Sequence, residues 1–266
     1  INPKLKTGFW PSHWPFGIGI SNQKAFWITF QRLGLAKVHS IENRKFKHLS
    51  AIVGTKDAQV IIADSIANKL YIYQIKPDLT NYNLSQSINI KYPTKLALSK
   101  FNTLAVLSKN KIKLFQFSKT VLKETKKSSI QINKKLNNIN IEAITFDTHN
   151  HLYVYSKQTI YIFYPNGKFL KTITTQFPLK DFGISHHKTI LGLHKNEKNI
   201  ILLSQNGNFV LSKKVPKFKS TQPLNFNFHQ PFAYVSVYNE LEGYTYNMGA
   251  DILNFQGKLQ KGIEPK

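Results

Sequence analysis

Cysteine is absent from all 266 residues, which excludes disulfides, thiolate metal centres and a cysteine nucleophile together. Arginine is nearly absent: Arg32 and Arg44 stand against 35 lysines. The side chain that reads bases bidentately is therefore missing, however basic the chain. Acids number 13, leaving a net charge of +24. No apolar run approaches the roughly 18 residues that a membrane helix needs, so no membrane span is expected. No stretch repeats apolar residues at three- and four-residue steps across two turns with caps, so no long helix is predicted. Catalytic signatures are also missing. There is no G-x-S-x-G elbow, no P-loop and no dinucleotide glycine fingerprint, and Ser185-His186-His187 carries no acid partner.

What is present is recurrence. Six short apolar runs begin at Ala25, Gln59, Thr103, His151, Thr189 and Phe232, spaced 34, 44, 48, 38 and 43 residues apart. Each lies within a unit of four strand-like stretches separated by turn residues. A strand-only period in the low forties marks a β-propeller blade. The expected fold is all-β, a six-bladed β-propeller with four-stranded antiparallel blades spanning residues 16–260. An aromatic arm over residues 1–15 precedes it and a tail over 261–266 follows. The third unit is predicted to end in an outer strand, Val121–Ile132, whose polar run Lys123–Ser129 suits a sheet edge.

Two units carry a family resemblance. The segment Ile144–Ile173, with Tyr161-Ile-Phe-Tyr-Pro-Asn-Gly-Lys-Phe-Leu170 at its centre, resembles an NHL-type blade, as does Val60–Ile75 with Asp64. The resemblance implies a six-bladed scaffold shared by proteins of unrelated function. Some NHL-type propellers bind single-stranded RNA on one face. Gluconolactonase-like hydrolases of similar architecture hold a divalent metal in the channel with carboxylates and Asn. Here only Glu142 and Asp181 fall near inner-strand starts, so no metal and no cofactor is expected and the chain reads as non-catalytic.

Candidate binding residues fall into two groups. Trp10, Trp14 and Phe16 lie in a proline-interrupted aromatic segment that either covers the propeller or anchors a partner. Lys91, Lys109, Lys134, Lys135, Lys157, Lys195 and Lys217 are assigned to connections entering blades or joining second to third strands, on one shared face. Their charge attracts anionic polymers in a salt-dependent way. His149, His186, His187 and His229 are read as solvated turn residues of the opposite face, because adjacent blades lie roughly 10 Å apart, too far for one ion to bridge. A lysine-rich, asparagine-rich and isoleucine-rich composition follows from AT-rich coding, but scarce acids leave a real cationic surface. The start at Ile1, with no charged-then-apolar leader, reads as a processed or trimmed form. The expected role is a binding or structural propeller contacting other protein subunits in a bacterial envelope or secreted assembly, extracytoplasmic in location. A polyanion-binding propeller (RNA, DNA or acidic polysaccharide) is the first alternative, and a metal-dependent propeller hydrolase the second.

Overall fold

A computed structural model describes residues 17–22, 25–32, 35–42, 46–55, 59–75, 82–118, 121–184, 188–196, 199–214, 225–229, 232–236, 252–253 and 259–260. Its strands are β1 (Gly17–Asn22), β2 (Ala25–Arg32), β3 (Leu35–Glu42), β4 (Leu49–Gly54), β5 (Gln59–Asp64), β6 (Lys69–Ile75), β7 (Tyr82–Asn89), β8 (Pro93–Leu98), β9 (Thr103–Ser108), β10 (Lys111–Ser118) and β11 (Val121–Glu124). A helix, α1 (Lys126–Lys135), comes next. It is followed by β12 (Ala143–Phe146), β13 (Leu152–Ser156), β14 (Thr159–Phe163), β15 (Phe169–Thr174), β16 (Leu179–Ile184), β17 (Ile190–His194), β18 (Asn199–Leu203) and β19 (Phe209–Lys214). The last strands are β20 (Asn225–His229), β21 (Phe232–Ser236), β22 (Ile252–Leu253) and β23 (Leu259–Gln260).

These strands form antiparallel sheets in chain order, an all-β propeller arrangement of four-stranded sheets. The four sheets β4–β7, β8–β11, β12–β15 and β16–β19 are complete blades, where the sequence predicts six. β1–β3 form a three-stranded sheet, and β20–β23 close with strands of two residues each. In every sheet the second strand falls on one of the six recurring apolar runs. First strands of successive sheets touch, β4 on β8, β8 on β12 and β12 on β16, so they form the inner ring.

The apolar runs are explained by two-sided burial. β5 and β9 are buried along their whole length. Leu104 and Val106 of β9 pack toward the second sheet with Ile61 and Ile72, while Ala105 and Leu107 pack toward the fourth with Leu152 and Val154. On β13, Tyr153 and Tyr155 then meet Phe182, Ile190 and Ile201 of the fifth sheet. A strand covered on both faces shows no polar alternation, so it reads as a continuous apolar run. Outer strands escape that rule. β7 is exposed over most of its length, with Gln86 and Ile88 half-buried.

The third blade departs from the predicted outer strand. β11 is four residues long, and the chain then turns into α1 instead of continuing to Ile132. Ser129, Ile132, Asn133 and Leu136 recur at helical spacing, but two of the four are polar, so the apolar period is hidden. The polar pair does the work of a strand edge. Asn133 accepts the Ile112 N–H and donates to the Ile112 carbonyl, both at 2.8 Å. Ser129 Oγ accepts the Leu114 N–H at 2.9 Å. Lys134 and Lys135 fall in the last turn of α1, where cations complement the helix dipole.

Neighbouring blades are locked by close backbone approach. Gly167, at φ +86°, would place a Cβ within 2.5 Å of the Ser128 carbonyl oxygen of α1. Gly207, at the same φ in the next blade, would meet the Thr174 carbonyl oxygen of β15 at 2.1 Å. Thus α1 takes the place of an outer strand in this contact also. Tyr155 adds a polar tie: its hydroxyl accepts the Leu179 N–H of the next inner strand at 2.8 Å and the Gln158 N–H at 3.1 Å.

Candidate functional site

Antiparallel order sends the second-to-third turns and the between-blade connections to one end of the sheets, here the lower face. Three residues bind these segments together. Asn68, after β5, accepts the Tyr92 N–H through its side chain at 2.7 Å and the Ile90 N–H through its carbonyl at 2.9 Å. Asn110 accepts the Ile141 N–H and donates to the Ile139 carbonyl, both at 2.7 Å. Gln158 accepts the Thr175 N–H at 2.7 Å through its carbonyl. All three have positive φ, at 57°, 60° and 63°. Lys109-Asn110 and Lys157-Gln158 are two-residue hairpin loops with positive φ at both positions, the primed-turn geometry that matches strand twist. The lysine at each tip is therefore carried on a rigid mount.

The structure brings some of the candidate lysines together and separates others. Lys91, in the connection before β8, lies against Lys109 of the β9–β10 turn. The Lys109 amine is pushed below the usual lysine range by the Lys91 amine beside it, a like-charged donor that disfavours a second positive charge. Lys157 occupies its own turn in the fourth blade. Lys195 pairs with Glu142 at 3.7 Å, so part of its charge is answered within the face. Lys134 and Lys135 lie at the end of α1, which occupies the segment leading from β11 into β12. The Lys135 ammonium lies 4.3 Å from the centre of the Phe169 ring, which engages it in the contact between blades. Trp10, Trp14, Phe16 and Lys217 lie outside the described residues.

A groove that the sequence did not announce lies between the second and third sheets on this face. Ala67, Asn68, Asn89, Ile90, Lys91 and Lys113 line it, around a volume of about 500 Å³. Tyr92 stands next to it, 51% exposed.

Inside the ring, Asp181 of β16 accepts the Phe182 N–H at 2.9 Å. Asp181 is half-buried, and the neighbouring chain that keeps water from it pushes its carboxyl above the usual range, against the pull of Lys95, that N–H and Lys180. Among the described residues no three His, Asp or Glu side chains converge as metal ligands do.

The upper face repeats one loop design. Thr55, Ser99 and Asp147 each place a side-chain oxygen on the N–H four residues ahead, in Gln59, Thr103 and His151. Asp147 builds a larger network on this design. Its buried carboxylate also accepts the His149 N–H at 2.8 Å and meets His151 Nδ1 at 2.8 Å, with the Tyr153 hydroxyl at 3.4 Å. Burial, with this carboxylate beside it, pushes the Tyr153 phenol far above its ordinary range. The His149 and His151 rings stack 6.1 Å apart. His151 was not a sequence candidate. The signal for it was positional, since Thr55, Ser99 and Asp147 precede successive apolar runs by the same four residues. His229 ends β20 instead of lying in a turn, and His186 and His187 lie outside the described residues.

No known family matches the chain, and no curated protein matches it. A crystal structure of a protein from Lactobacillus plantarum is similar in fold, with a TM-score of 0.52 and 13% identity. The match covers 75% of this chain and 71% of that one. It supports a propeller, and at that identity it bears on fold alone.

Proposed function

We propose that this chain is a non-catalytic propeller that docks other protein subunits through its lower face, as a structural member of an extracytoplasmic bacterial assembly. The observation that carries the proposal is the placement of Lys91 and Lys109 together: Ser108 Oγ, next to the Lys109 turn, donates to the Lys91 carbonyl and holds the two segments side by side in a chain of +24 net charge. Like charges brought together repel, and an acidic surface that spans both relieves the repulsion. Rigid mounting adds to this, because little side-chain and loop freedom remains to be lost on docking.

The architecture belongs to the same proposal. Six sheets closed as six NHL-like blades account for β1 lying against both β4 and β20. On that reading residues 16–260 are the propeller, and residues 1–15 an aromatic arm.

The test is isolation of the tagged chain from its source at rising salt, beside a variant carrying Lys91→Gln and Lys109→Gln. The expected result is a subunit that survives moderate salt on the native chain and leaves the variant. A chain that emerges alone at low salt overturns the reading.

One observation favours polyanion binding as a second reading: Tyr92 presents an exposed ring next to Lys91, the pairing of stacking surface and charge that single strands use. Retention on single-stranded RNA that falls steeply with salt and disappears in Tyr92→Ala would favour it over protein docking.

A further inference from the structure

Lys113 occupies a place where the fold calls for an apolar side chain. On β10, Ile112 and Leu114 pack into the layer shared with the fourth sheet, while Phe115 and Phe117 pack into the layer shared with the second. Alternation puts Lys113 on the same side as Phe115 and Phe117. It is half-buried there and lines the groove with Ala67, Asn68, Asn89, Ile90 and Lys91.

Cations gathered at one groove repel one another, and a counter-charge relieves that repulsion. Among the described residues the ion pairs are Asp147–His151 and Glu142–Lys195, and neither reaches Lys113, Lys91 or Lys109. The Asp64 carboxylate, at the base of the neighbouring hairpin, is buried and taken up by the N–H groups of Lys47, His48 and Ala67. Three cations therefore gather at one groove and its edge with no acid from the described chain to answer them. The groove is not purely ionic. Ala67 forms an apolar part of its wall, Ile66 beside it is 56% exposed, and Ile90 lies beneath, buried in the core.

We propose that this groove is the docking site for an acidic segment of a partner protein, whose carboxylates meet Lys91, Lys109 and Lys113 while an apolar side chain rests on Ala67 and Ile66. The assignment rests on the protein-docking reading of the lower face given above. Charge complementarity identifies the occupant. About 500 Å³ exceeds what a single free oxyanion fills, and the apolar wall suits an interleaved hydrophobic residue. Arginine forks are missing from the wall, and Tyr92 is the one exposed ring next to it among the described residues, which disfavours a nucleic-acid strand.

The probe is a fluorescein-labelled peptide of alternating glutamate and leucine, followed by anisotropy at two salt concentrations. Lys91→Gln with Lys113→Gln is compared with Lys168→Gln plus Lys171→Gln, which removes the same charge from the fourth blade. The groove variant is expected to weaken binding by about tenfold or more and to flatten the salt dependence, while the control changes affinity less than about twofold. Equal losses in both variants overturn the proposal, since general charge then explains the binding. Tighter binding of a uridine homopolymer of matched charge, lost in the same groove variant, assigns the site to nucleic acid and also overturns it. Displacement of the peptide by inorganic phosphate at equal charge concentration reduces it to a free-oxyanion site, with the same consequence. If the peptide ignores the groove while a native subunit remains bound in the isolation experiment, the groove assignment fails and the docking role stands. If the peptide depends on the groove and no native subunit is found, the docking role fails.

Discussion

The side-chain amide of Asn133 completes both hydrogen bonds that the backbone of Ile112 would otherwise offer to a neighbouring strand. A helix thereby finishes a sheet edge. The arrangement answers an accounting problem, because each N–H and C=O removed from water needs a partner. Asn133 supplies one donor and one acceptor in the plane of the sheet, four residues from Ser129, which serves Leu114.

Replacing Asn133 by Leu keeps the bulk and removes both bonds. The expected cost is about 2–4 kcal/mol, since two backbone groups lose their partners at once. Asn133→Asp keeps the acceptor alone and loses the bond to the Ile112 carbonyl. Urea unfolding should place the variants in the order native, Asp, Leu, with an unchanged denaturant slope. A Leu variant as stable as the native chain would show that water or a shifted backbone completes the edge.

The contrast between α1 and the strands explains what was legible in the sequence. The second strands β5, β9, β13 and β17 were readable because two-sided burial leaves an unmistakable apolar run. The helix was not, because its buried stripe spends Ser129 and Asn133 on hydrogen bonds and leaves Ile130 exposed. The shared face of Lys91, Lys109, Lys157 and Lys195 follows from antiparallel alternation and needed no contact information. That Lys91 and Lys109 touch, and that Lys113 points into the same groove, depends on how two blades pack. Local pattern carries no trace of that packing. The Asp147–His151 pair was hidden for another reason: a turn of Asp, Thr, His and Asn looks like any solvated loop.

Gly167 and Gly207 make a second prediction. Alanine at either site must hold φ near +86° and meet a backbone oxygen of the preceding blade, which a rotamer change cannot move. Gly192→Ala meets the Leu179 side chain and no backbone atom, at 2.6 Å from Cδ2, 3.0 Å from Cδ1 and 3.2 Å from Cγ, at a glycine without the positive φ. Losses of about 2 kcal/mol or more are expected at 167 and 207, where strain and clash add, and smaller losses at 192. Comparable melting temperatures for all three variants would show that the blades separate easily.

Tyr155 gives a third, on the polar tie between the β12–β15 and β16–β19 blades. Its hydroxyl accepts two backbone N–H groups and the residue is 1% exposed. Tyr155→Phe leaves the shape intact and orphans a donor of Leu179, so a loss of about 1–3 kcal/mol is expected. Hydrogen exchange at Leu179 and Gln158 should accelerate relative to amides of the second blade. Unchanged exchange at both positions would place the tie outside the cooperative unit.

The last prediction concerns Asp181 and its sign. Burial raises the native carboxyl above its unfolded value, so the folded chain binds this proton more tightly than the unfolded chain does. The group's contribution to stability is whole below the usual carboxylate range and is lost as pH climbs through the raised native value. Above that value an enclosed charge counts against the fold, offset in part by Lys95 and Lys180. Asp181→Asn mimics the protonated acid and keeps an oxygen for the Phe182 N–H. The two proteins should be equally stable near about pH 3, and the variant should gain an advantage that grows and then levels off by about pH 8. Denaturant midpoints across that range read the difference directly. A native chain that is the more stable at the alkaline end would mean that the two lysines hold Asp181 as an ion pair whose attraction outweighs its burial.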